Sequence, residues 1–65
     1  MWLVVGVAGD KTMAQDMQKA LEAEGILVKQ RAASVRASRA GNTFEILVLE
    51  SEAESSREIL LENGF

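Results

Sequence analysis

Residues 2–8 read Trp-Leu-Val-Val-Gly-Val-Ala, an apolar run with little alternation. It is rich in β-branched residues and ends at Gly9-Asp10. Such a run is far too short to cross a membrane, and it predicts a β-strand (β1, residues 2–8) covered on both faces. The strand must find its neighbours and its covering layer within 65 residues. That length makes one small domain, 1–65, and a domain of this size buries only about 60% of the surface its unfolded chain exposes. Small domains compensate with disulfides, a metal or a partner chain. The chain has no Cys and no His, which excludes disulfides and the usual zinc sites. A partner chain is the device that remains.

Downstream, Lys11 to Glu24 reads as a helix (α1). Met13, Met17, Ala20 and Leu21 form its apolar stripe, Asp10 is its N-cap and Gly25 its left-handed stop. Ile26 to Ala33 reads as a strand (β2), with Ile26 and Val28 on one face and Leu27, Lys29 and Arg31 on the other. Ser34 to Asn42 is a Ser/Ala/Arg-rich connection. Thr43 to Leu49 is a third strand (β3), with Phe44, Ile46 and Val48 toward the core. A second helix (α2) spans roughly Glu52 to Glu62 and ends at Asn63-Gly64. Ser51 and Glu54 match a capping box. Ala53, Arg57, Leu60 and Leu61 form its inner stripe, the Arg57 stem covering apolar surface.

The order βαββα predicts an α+β fold. Its three-stranded sheet has order 1-3-2 with both helices on one face, a ferredoxin-like arrangement lacking the last strand. β1 then lies at a sheet edge without charge or Pro, which invites pairing. Strict alternation sets Leu3, Val5 and Val7 toward the helices. Trp2 and Val4 go to the open face, joined by Leu27, Leu47 and Leu49. A half-apolar open face is a candidate partner surface, centred on Trp2, Val4, Leu47 and Leu49.

The stretch Gly6 to Thr12, GVAGDKT, invites comparison with a phosphate loop. A P-loop needs glycines five and ten residues into this chain, where Val5 and Asp10 stand. The dinucleotide pattern of three spaced glycines fails as well. The stretch reads as a strand end and an Asp-capped helix start. Charge is unevenly spread. Between Gly25 and Thr43 lie Lys29, Arg31, Arg36 and Arg39 and no acid, in a chain of seven basic and ten acidic residues. Two readings follow: a small-anion or nucleotide-metabolite site on these four residues, or a solvated hairpin with Glu45 neutralising Lys29 or Arg31 across the ladder. The net charge of −3 argues against nucleic acid as a partner. No thiolate or imidazole is available for catalysis, and the serines have no base to activate them. No catalytic residue, cofactor or metal is expected.

Two phrases carry a family resemblance over nearly the whole chain. MWLVVGVAGDKTMAQDMQKALEAEGILVKQR is a strand, a helix ending in LEAEGI, and a strand ending in basic residues. FEILVLESEAESSREIL is an apolar strand, an acidic turn and a helix. Together they resemble short bacterial βαββα proteins of the signal-transducing type, whose sheet is related to ferredoxin-like regulatory domains. They are also similar to small clostridial open reading frames that carry the name glutamate decarboxylase. The resemblance implies a binding or regulatory role and assigns no catalytic residue. Decarboxylation of glutamate would require pyridoxal phosphate on a lysine, with a phosphate cup and a pyridine-nitrogen partner. Lys11, Lys19 and Lys29 read as exposed, and 65 residues cannot enclose that cofactor. The connection ASVRASRAGNT is richer in arginine than the family pattern, and the chain has no Pro.

The expectation is a non-catalytic interaction or regulatory module, self-associating as a homodimer or binding another protein. The alternatives are a sensor of a small anionic ligand and an accessory subunit of an enzyme. No basic region precedes the first strand, so it does not read as a signal peptide. The absence of Cys fits a reducing compartment, and the cytoplasm is the expected location.

Overall fold

The computed structural model describes residues 1–33 and 43–65. The connection 34–42, with Arg36 and Arg39, lies outside the described residues. Elements follow as β1 (Trp2–Ala8), α1 (Lys11–Glu22), β2 (Val28–Ala32), β3 (Phe44–Leu49), a single 3₁₀ turn (Glu50–Glu52) and α2 (Ala53–Glu62). β3 lies between β1 and β2 and runs antiparallel to both, giving the order 1-3-2.

Local signals account for the boundaries. The Asp10 carboxylate accepts from the Met13 N–H at 2.8 Å, satisfying one of the free donors at the start of α1. Gly25, at φ +82°, ends that helix. The Ile26 N–H donates to the Leu21 carbonyl and the Gly25 N–H to Glu22, a Schellman closure in which Leu21 and Ile26 are both buried. Gly64, at φ +86°, does the same for α2, with the Phe65 N–H on the Leu60 carbonyl. The Ser51–Glu54 capping box does not form. Glu50–Glu52 winds as a 3₁₀ turn, and α2 begins at Ala53, its N-cap Glu52 making no side-chain capping bond. The tighter turn takes up the residues that a capping box would have placed in extended backbone.

One core lies between the sheet and both helices. Ala8, Ile46 and Val48 supply its floor, Ala14, Met17 and Leu21 enter from α1, and Ala53 and Leu60 from α2, with Ile26 at the α1–β2 junction. Two stripe assignments shift by one position. In α1 the buried residue is Ala14, and Met13 is exposed. In α2 the inward face carries Ser56 with Ala53 and Leu60, while Leu61 is 75% exposed. A 100° step per residue leaves either neighbour eligible, and packing takes the smaller side chain where the helices lie close.

Ser56 is fully buried, and its hydroxyl has no hydrogen-bond partner among the described residues. A buried hydroxyl without a partner costs on the order of 1–3 kcal/mol. Ser56→Ala is therefore expected to stabilise the fold by about 1 kcal/mol, read as a higher midpoint in urea unfolding. A lower midpoint would show that the hydroxyl is bonded after all.

The largest departure from expectation is in β1. The strand is not covered on both faces, and a β-bulge breaks its alternation. Val4 pairs with Leu47 and Gly6 with Ile46, so Val5 is the extra residue. Beyond it the phase reverses. Gly6 and Ala8 face the helices, whereas Val7, expected in the core, pairs with Glu45 and is 58% exposed. Gly6 sits under the helices because nothing larger fits easily: a Cβ there would come within 2.5 Å of the Met17 methyl and 3.4 Å of a Leu60 methyl.

Candidate functional site

The bulge and the register define the open face of the sheet. Val4, Leu47 and Lys29 form one cross-strand row, Trp2 and Leu49 stand beside it, and Val7, Glu45 and Arg31 form the next. All four residues expected at a partner surface, Trp2, Val4, Leu47 and Leu49, are thus neighbours on this face.

They are not equally available. Leu47 is only 6% exposed yet lies outside the core cluster under the helices. Its cover comes from its own face. Lys29 extends diagonally across β3 and sets its ammonium 4.6 Å from the centre of the Trp2 ring, a cation–π contact. The lysine stem and the indole together roof the middle of β3, as amphipathic stems do over apolar surface. Trp2 and Leu49 are half-buried and Val4 is exposed.

The basic segment resolves partly. The Arg31 Nη2 lies 2.6 Å from Glu45 Oε1, and its Nε donates to the same oxygen at 2.7 Å. Arg31 is thus met by the acid directly opposite in the ladder. Lys29 is turned to Trp2, so these two cations do not converge on a common point. Arg36 and Arg39 lie outside the described residues.

The two edges of the sheet differ. β2 carries Lys29 and Arg31, and beside it Gln18, Gln30 and Lys11 form a polar chain. Lys11 donates to Gln30 at 3.3 Å, Gln30 to Gln18 at 2.7 Å, and Gln18 to Glu22 at 2.9 Å. β1 carries no charge, and among the described residues it has a neighbour on one side only. Alongside its second half runs a groove lined by Val5, Gly6, Val7, Arg57, Leu61 and Phe65. Val7, Leu61 and Phe65 are exposed. Sequence reasoning found the edge and missed this groove. Its α2 wall is built from Leu61, which was assigned to the core, and Phe65, which lies past the helix end.

No helix among the described residues is long and apolar enough to cross a membrane. No protein-family model matches the chain. No curated protein and no solved structure matches it either.

Proposed function

We propose that this chain is a small non-catalytic interaction module, regulatory in the manner of the signal-transducing βαββα proteins it resembles, and that it associates with a second copy of itself through the β1 edge. The observation that carries this reading is the contrast between the two edges. Native sheets blunt a free edge with charge, Pro or cover. β2 has two cations, while β1 has none and is flanked by exposed apolar side chains. A domain this small also gains from a partner, because its own core is limited. The absence of His and Cys from the sequence favours binding over catalysis.

Sedimentation velocity over a range of concentrations tests the reading, with a dimer expected at micromolar chain. Val4→Lys sets a charge at the edge on a residue that is already exposed. It should weaken association at least tenfold while circular dichroism stays that of the parent. An unchanged oligomeric state with unchanged stability removes this interface.

A further inference from the structure

The structure assigns a register to that association: β1 pairs antiparallel with the β1 of a second copy about a two-fold axis at Leu3, and the Met1 side chain enters the groove of the partner subunit. This rests on the self-association proposed above and specifies its geometry.

Two features together place the centre at Leu3. The first is the phase of the ladder. The Glu50 N–H donates to the Met1 carbonyl at 2.8 Å, so Met1 belongs to a hydrogen-bonded pair with the β3 side. Antiparallel pairs alternate. Leu3 therefore also turns its backbone groups toward β3, and Trp2 and Val4 turn theirs outward to the free edge. The second feature is the bulge. It interrupts the regular backbone at Val5, and a bulge disrupts the ladder where it sits. The regular part of β1 ahead of the bulge is thus Trp2–Val4, with Leu3 at its midpoint. A two-fold at Leu3 uses the whole stretch, and any other centre leaves part of it unpaired. The same centre also suits the phase. Leu3 meets Leu3 of the partner subunit as a non-hydrogen-bonded pair. Trp2 and Val4 of each copy then exchange backbone bonds with Val4 and Trp2 of the other.

The side chains agree on both faces. On the open face Trp2 comes beside the partner's Val4, an aromatic–β-branched pair of the kind that stabilises ladders. On the helix face Met1, which shares the side of Leu3, comes beside the partner's Val5. There the groove between β1 and α2 opens, with Arg57 in its lining beside Val5, Gly6, Val7, Leu61 and Phe65. Met1 is 81% exposed, and a flexible thioether suits an irregular, largely apolar slot. The chain thus carries both the projection and the recess, spaced as this register requires. That argues for a second copy as the occupant rather than an unrelated strand. The charged β2 edges lie at the two ends of the resulting sheet, so the assembly closes as a dimer instead of growing.

The chain lacks Cys, so one introduced thiol reports one contact. A non-hydrogen-bonded antiparallel pair holds its Cα atoms about 4.5 Å apart, within the span of a disulfide. Under mild oxidation Leu3→Cys should convert mostly to a covalent dimer, while Val7→Cys, beyond the bulge, stays single. In case Leu3→Cys does not fold, the unmodified chain supplies the same information. A mixed sample of isotope-labelled and unlabelled copies should show an Hα–Hα contact between the two Leu3 residues by filtered NMR. Cross-linking at Val7 in place of Leu3, or a sedimenting dimer without the Leu3 contact, overturns the register and leaves self-association standing. A chain that stays monomeric at millimolar concentration removes both.

Discussion

Leu21→Ala should cost about 2–5 kcal/mol, the usual range for truncating a fully buried leucine. The side chain is completely inaccessible. It packs where α1 closes onto Ile26, with the helix-ending bond from the Ile26 N–H to its own carbonyl at 3.1 Å. Truncation would leave a void at the point where helix, turn and strand meet. In a domain of 65 residues that loss approaches the whole stability, so the expected result is a largely unfolded chain at 37 °C by circular dichroism. Leu61→Ala is the contrast. Leu61 is a leucine on the other helix, left in solvent at the groove wall. Its removal should change the unfolding free energy of the isolated fold by no more than about 0.5 kcal/mol, while weakening the proposed association. A fold-level loss at Leu61 equal to that at Leu21 would refute the outward placement of this residue.

The second large effect is at Gly6. A β-branched side chain there must displace the Met17 methyl, which would otherwise lie 2.5 Å from the new Cβ. Gly6→Val is expected to destabilise by about 1–3 kcal/mol through overpacking. Gly6→Ala should be milder, because the thioether of Met17 borders the open groove and can swing into it. The origin of the cost can be checked by a double-mutant cycle in urea unfolding. If Met17 is the obstacle, Gly6→Val combined with Met17→Ala should cost less than the two single changes added together. Strict additivity would place the clash elsewhere.

The sequence made some features legible and hid others, for identifiable reasons. Asp10 and Gly25 marked the limits of α1 because a cap and a left-handed glycine act locally. The end of β1 and the order 1-3-2 followed from an apolar run and short connections. Glu45 was a candidate partner for Arg31 because the two could share a ladder row, and they do. The bulge at Val5 was hidden, since Val4-Val5 and Gly6-Val7 look alike to any rule based on hydrophobicity. That single extra residue moved Val7 from the expected core to the open face. Ser56 was hidden for the opposite reason, being a polar residue type in a fully buried place. The roof over Leu47 depends on a lysine and a tryptophan on two different strands, a relation that appears only once β3 is known to lie between them.

That roof gives the molecule an optical handle. Trp2 is the only tryptophan in the chain, and it occupies the boundary between the sheet's exposed surface and its free edge. Its emission therefore depends on two separate events. Unfolding releases it from Lys29 and Leu49 into water. The proposed strand pairing with another copy would take away the solvent that still reaches it. Dilution would thus redden the fluorescence without any change in helix content, and heating would change both together. On that proposal the indole would distinguish loss of a partner from loss of the fold in an unlabelled sample.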